Sequence, residues 1–137
     1  MTIVVDASVA AKWFIREVGR EEALKVLDAA ERHAPDLIVA EIANVACKKA
    51  IQGEVTHDQA RFICASVRHY FSVLHSGEAL VSRAIGIALQ LGHPIYDCFY
   101  LACADRIGSR LVTVDRRLLA SISDTEFTSL AVDVSDF

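Results

Sequence analysis

Four acids in this chain stand apart from its other charges and share one kind of setting. Asp97 lies in Pro94 to Ala104, a run with no other charged residue, and Asp115 closes the apolar stretch Leu111-Val112-Thr113-Val114. Asp6 likewise ends Thr2-Ile3-Val4-Val5, and Glu41 follows Leu37-Ile38-Val39-Ala40. Burying an ionised carboxylate costs several kcal/mol unless a cation or a set of donors compensates, so acids at the ends of core elements call for a partner. A single strand-end Asp is ordinarily a helix cap. Four of them in one context point instead to a shared oxygen-ligand site. The hard divalent cations Mg²⁺ and Mn²⁺ suit such a set: Mg²⁺ keeps several waters and takes one or two carboxylates per ion, which leaves positions for a phosphate. Two ions about 3.5 to 4 Å apart can activate a water and stabilise the leaving oxygen of a phosphodiester.

Neighbouring polar residues could support the acids. Ser8, two residues after Asp6, is placed either to cap the following helix or to hydrogen-bond Asp6. Asn44 sits three residues after Glu41, on the same helical face, where it could orient Glu41 or a metal-bound water. Other phosphoryl chemistries fit poorly. The chain has no GxxxxGK[ST] or GxGxxG loop, and no HExxH pair. Asp6 also lacks the second acid that a haloacid-dehalogenase-type phosphatase or a receiver domain would require.

The elements that must position these acids can be read in order. Thr2 to Val5 predicts a buried strand, with a helix beginning at Ala7 or Ser8. After Gly19, a helix over Glu21 to Arg32 carries Ala23, Leu24, Val26, Leu27 and Ala30 on one face. His33 to Asp36 reads as a connector, Leu37 to Val39 as a short strand, and Glu41 as the opening of a helix that runs to about Ile51. Thr56 and Gln59 form a capping box before a helix striped with Phe62, Ile63, Val67, Tyr70 and Phe71. Ser72 to His75 is the next strand, followed by a helix from Ser76 to Leu91 that stops at Gly92-His93-Pro94. Ile95 to Ala104 is apolar nearly all round and predicts a central buried helix with Asp97 in its first turn, where the helix dipole favours a carboxylate. Leu111 to Val114 is a strand, a short helix carries Leu118 and Leu119, and Phe127 to Ala131 reads as an edge strand. Short strands alternating with helices imply an α/β fold with a parallel sheet covered on both faces.

The 137 residues suit one domain spanning the whole chain. The net charge of −4 excludes the overall basic footprint of a generic nucleic-acid binder. Any nucleic-acid contact must be local, and Lys48-Lys49, Arg116-Arg117, Lys12, Arg16 and Arg20 could form a rim that holds phosphates. Cys47, Cys64, Cys98 and Cys103 form no CxxC pair and read as reduced core thiols. The uncharged run Ala84 to Tyr96 is too short and too interrupted to cross a membrane, and the N-terminus has no secretion signal, so a cytoplasmic location without membrane partners is expected.

The segments VVDASVAAKWF around Asp6, APDLIVAEIANV around Glu41, HPIYDCFYLACA around Asp97 and LVTVDRRLL around Asp115 together resemble a PIN domain, specifically the small toxin ribonucleases of the VapC type. The resemblance covers nearly the whole chain. It implies a three-layer α/β/α sandwich whose central, mostly parallel sheet has about five strands, and hydrolysis of RNA that depends on Mg²⁺ or Mn²⁺. On this likeness Asp6 and Asp97 are direct metal ligands, Glu41 binds metal or positions the attacking water, and Asp115 completes the site or holds a second ion. Ser8, Asn44 and Thr113 fall at supporting positions. The resemblance further implies a homodimer and an antitoxin protein lying in a groove beside the site. Trp13 and Phe14 are candidates for that groove or for the core. Two other readings stay open: a non-toxin PIN-type nuclease in RNA processing, and a binding protein with a structural metal.

Overall fold

The computed structural model describes residues 1–29 and 31–137. Ala30, expected on the inner face of the second helix, lies outside the described residues. Five strands form one parallel sheet: β1 Thr2–Val5, β2 Glu31–Pro35, β3 Val73–His75, β4 Leu111–Thr113 and β5 Ala131–Asp133. Their spatial order is β3-β2-β1-β4-β5, and each neighbouring pair is parallel. The chain therefore builds outward from β1 through β2 to β3, then crosses back and continues on the other side of β1. This reversal, between β1 and β4, is where open α/β sheets leave a crevice beyond their carboxyl ends.

Among the described residues seven helices flank the sheet: α1 Ala7–Phe14, α2 Arg20–Ala29, α3 Leu37–Ile51, α4 His57–Ser66, α5 Gly77–Leu91, α6 Ile95–Ile107 and α7 Arg116–Ile122. Helices α1 to α4 pack on one another, while α5 packs on α6 and α6 lies on β1, β2 and β4. The α/β sandwich expected from the sequence is thus the one observed. Ile3, Val4, Val5, Leu111 and Val112 of the central strands are fully buried, as are Leu101 to Ala104 of α6. Among the described residues no helix is long and apolar enough to cross a membrane.

Several local expectations need correction. The run Leu37-Ile38-Val39 is the first turn of α3, not a strand, and it buries Ile38, Ile42 and Ala46 at four-residue spacing. The strand lies earlier, at Glu31–Pro35, through residues read as helix end and connector. It forms there because it pairs with β1 on one side and β3 on the other, so its tertiary setting outweighs a weak local propensity. Glu41 accordingly stands in the second turn of α3 and does not open it. The last strand begins at Ala131, because Thr128–Leu130 forms a 3₁₀ turn. Thr56 and Gln59 do make both hydrogen bonds of the capping box, but Phe62 in the expected apolar stripe is 68% exposed. Cys98 and Cys103 are buried thiols, whereas Cys47 is exposed and Cys64 half-buried, both lining an apolar groove between α3 and α4.

Candidate active site

The register Val4↔Leu111 and Val5↔Val112 sets Asp6, just past β1, beside Thr113 at the end of β4. Asp6 is the N-cap of α1: its Oδ1 accepts the Val9 amide at 3.2 Å and the Ser8 hydroxyl at 2.5 Å. The Thr113 hydroxyl donates to its other oxygen. Ser8 is thus a partner of Asp6, and the cap itself is supplied by Asp6. The same two hydroxyls tie down the β4–α7 turn, since Ser8 Oγ accepts the Val114 amide at 3.3 Å and Thr113 Oγ1 accepts the Asp115 amide at 3.0 Å. Burial pushes the Asp6 carboxyl up to about 6, against the pull of the Ser8, Thr113 and Val9 donors and with help from the negative charge of Asp97.

Glu41 is half-buried, and burial together with Asp97 raises its carboxyl above the ordinary range. Its Oε1 accepts the Tyr100 hydroxyl at 2.6 Å, a bond that acts in the opposite direction by favouring the ionised acid. Tyr100 is 2% exposed. Its hydroxyl is held well above the usual range, first by burial and then by the charges of Glu41, Asp6 and Asp97. The charges of three of the four acids thus act on one phenol, and Glu41 is the one hydrogen-bonded to it. Asp97, in the first turn of α6, accepts a hydrogen bond through Oδ2 from His93 Nε2 at 2.7 Å when that nitrogen carries a proton.

Asp115 stands at the margin of this group. Its Oδ1 accepts the amides of Arg117 and Leu118 at 3.0 and 3.1 Å, capping α7, while its Oδ2 receives no hydrogen bond from the described residues. It is linked to Asp6 through Thr113. Among the described residues no three carboxylate, imidazole or thiol groups are drawn into a ready coordination set. Asp97 is hydrogen-bonded with His93, and Asp115 with the backbone amides of Arg117 and Leu118. The donor set nonetheless fits a hard divalent ion. Every candidate ligand is an oxygen, and the charge of Asp97 hinders ionisation of Asp6 and Glu41, a strain that a cation among them would relieve.

A cleft of about 360 Å³ opens beside the acids, lined by Ser8, Lys12, Glu17, Glu41, Asn44 and Val114 among others. Asn44 is exposed on this rim, and the side chain that orients Glu41 is Tyr100 instead. Trp13 belongs to the core: it is 5% exposed, donates through Nε1 to the Ala23 carbonyl at 2.8 Å and packs against Tyr70 and Phe71. Phe14 is half-buried on a neighbouring groove. Sequence reasoning missed His93 and Tyr100. Their spacing held a signal, because they lie four residues before and three after Asp97, and Tyr100 is a hydroxyl-bearing side chain inside an otherwise apolar helix.

Residues 3–124 match the PIN domain family. The chain is 36% identical over 121 residues to Ribonuclease VapC3 of Pyrobaculum aerophilum, an alignment covering 86% of this chain and 92% of that protein. Its fold is similar to the crystal structure of PAE2754 from the same organism, with a TM-score of 0.73 and 26% identity over 99% of this chain and 91% of the other. A toxin-antitoxin complex from Klebsiella pneumoniae gives a TM-score of 0.70 at 16% identity, over 96% of this chain and 97% of that one. VapBC-1 from nontypeable Haemophilus influenzae gives 0.64 at 15%, over 98% and 99%. With the family match running across nearly the whole sheet and all four acids, the chain belongs to the PIN domain family.

Proposed function

We propose that this protein is a metal-dependent endoribonuclease, the toxin of a type II toxin-antitoxin pair, which hydrolyses RNA phosphodiester bonds and leaves 5′-phosphate and 3′-hydroxyl ends. The observation that carries this reading is the buried Asp6 at the β1–β4 crevice, held by Ser8 and Thr113, with Glu41 hydrogen-bonded to the buried Tyr100 whose hydroxyl also feels the charges of Asp6 and Asp97. Kinship with a ribonuclease of the VapC type supports it. Asp6 and Asp97 would hold Mg²⁺ or Mn²⁺, Glu41 would hold metal or position the attacking water, and Asp115 would complete the site through Oδ2. A bound divalent ion supplies Lewis acidity, which activates water and stabilises the leaving oxygen.

The chain's own groups prepare that chemistry. Ser8, Thr113 and the Val9 amide fix both oxygens of Asp6, Tyr100 fixes one oxygen of Glu41, and His93 orients Asp97. Asn44 faces the cleft where a substrate or water approaches. Such supporting bonds set ligand geometry before substrate arrives.

An antitoxin protein is the proposed partner, seated on the groove of about 510 Å³ that Phe14, Val55, Phe62 and Tyr70 line with others. The exposed ring of Phe62 supports this placement, and Trp13 contributes from beneath as core. A homodimer is also proposed, through the exposed stripe Val81, Ile85 and Leu89 on α5, which repeats every four residues. The proposed site of action is the cytoplasm.

The deciding experiment is cleavage of a mixed cellular RNA pool with Mg²⁺, Mn²⁺ or EDTA, beside an Asp6→Asn protein purified identically. Discrete metal-dependent fragments absent from the variant are expected. Equal behaviour of the two folded proteins would favour a binding protein with a structural metal. Unharmed growth of cells producing the active enzyme without antitoxin would favour a nuclease of RNA processing.

A further inference from the structure

Between the α1–α2 connection on one side and the α3–α4 connection on the other lies a second cleft, about 680 Å³ in volume, lined by Phe14, Arg16, Arg20, Lys49, Glu54 and Gln59 among others. Arg20 donates through Nη2 to the Trp13 carbonyl at 3.3 Å, but its buried Nε has no hydrogen-bond partner among the described residues. A buried, unsatisfied guanidinium donor is rare in a folded protein, so the hydrogen bonding of Arg20 is incomplete as it stands. Arg16 is exposed and makes no hydrogen bond or ion pair with the described residues. Lys49, by contrast, is committed to Glu54 at 2.7 Å and Glu17 at 3.9 Å. With Glu54 answered by Lys49, the two arginines leave this cleft positive in a chain whose net charge is −4.

The cleft adjoins the acid-lined one. Glu17 lies on the wall of the first and bridges Lys12, at 3.3 Å, to Lys49 on the wall of the second. Phe14, half-buried, lines this cleft and the groove of Val55, Phe62 and Tyr70, and it offers a ring on which a base can stack. The guanidinium fork matches a phosphate's oxygens better than any other side chain does.

Resting on the ribonuclease reading, we propose that Arg16 and Arg20 form a phosphate subsite that grips the RNA backbone on one side of the scissile bond, with Phe14 against the adjoining base. RNA is thereby held by a local cationic notch in an otherwise acidic protein. Lys12 and Lys49, each already paired with Glu17, mark the path between notch and acids.

The test is binding, separate from cleavage. A short labelled single-stranded RNA is titrated into Asp6→Asn protein in EDTA across a salt series, and fluorescence anisotropy gives the affinity and its salt slope. Arg16→Gln and Arg20→Gln, each built on Asp6→Asn, are expected to weaken binding several-fold and to lower the slope by about 0.7 for each phosphate that is no longer held. Arg61→Gln, on an exposed side chain lining a different groove, should change neither. Arg20→Gln also removes the bond to Trp13, so Arg16→Gln, which disturbs no bond to the described residues, is the decisive variant. Parental affinity and slope in Arg16→Gln would overturn the subsite while RNA cleavage by the wild-type enzyme still upheld the ribonuclease reading. Competition by a glutamate-rich peptide that depends on both arginines, with RNA binding indifferent to them, would assign the notch to carboxylates and overturn it too. Wild-type protein that neither binds nor cuts RNA would remove the reading itself.

Discussion

At the scale of single residues, the candidate site holds two acids, Asp6 and Glu41, whose ionisation is opposed by burial and by the charge of Asp97. Asp6 titrates at about 6 in the folded protein against 3.8 for an unperturbed Asp. Its folded pKa is raised, so the native state binds the proton more readily than the unfolded chain does. The associated stability is complete below about pH 4 and is lost as pH rises to about 6. Two units correspond to about 3 kcal/mol. In metal-free protein, Asp6→Asn should therefore gain stability relative to the parent as pH rises from 4 to 7. Urea melts at both pH values check this, and a difference that does not vary with pH would refute the buried-acid account. Tyr100→Phe isolates the other interaction. It keeps the ring in the core and removes the hydroxyl that holds Glu41, so Glu41 becomes still harder to ionise. RNA cleavage should fall roughly tenfold or more, as for other supporting partners of metal ligands. The Mg²⁺ concentration needed for half-maximal activity should rise while the melting temperature changes little. The four acids stand out as candidates in the sequence because each interrupts an apolar run. Tyr100 was not, because a phenol in a buried helix reads as packing until the fold shows what its hydroxyl faces.

At the scale of elements, the tips of β1 and β4 were legible because β-branched runs end abruptly in Asp, and the segment after each is helical. The β2–α3 junction was not. Leu37-Ile38-Val39 has the same local character in a strand as in the buried first turn of a helix, and only the pairing of Glu31–Pro35 with both neighbours decides between them. That pairing carries a titratable seam. His33 Nδ1 and His75 Nε2 lie 2.9 Å apart across β2 and β3, an arrangement that holds one proton between them and not two. Burial, then His33 and Arg106, lower the pKa of His75 below 6.5. For a depressed histidine the stability is present above pH 6.5 and is lost as pH falls through the folded value. His75→Gln should flatten this acid loss, which thermal melts at pH 5 and 7.5 would show. An acid loss equal to the parent's would mean that the seam does not govern the β3 edge. The trend is opposite in sign to that of Asp6, so each is read as variant against parent at the same pH.

At the scale of the whole molecule, the four candidate acids come from the end of β1, from α3, from α6 and from the β4–α7 turn, so an ion held by them jointly must stabilise the entire fold. An ion held by the folded state alone adds RT ln(1 + [L]/Kd), about 2.7 kcal/mol at one hundred times Kd. For a domain of this size that is a rise in melting temperature on the order of 5 to 10 °C. Millimolar Mg²⁺ or Mn²⁺ should produce it, EDTA should reverse it, and Asp6→Asn should abolish most of it. Asp105→Asn, which removes only a surface ion pair with Arg83, should leave the rise intact. The ion and the proton compete for the same carboxyl, so the rise should also shrink as pH falls below about 6, where Asp6 becomes protonated. The combined outcome separates a shared site from general ionic stabilisation. A rise that is equal in Asp6→Asn and indifferent to pH would come from the acidic surface of a chain with net charge −4, and it would count against the four acids acting as one centre.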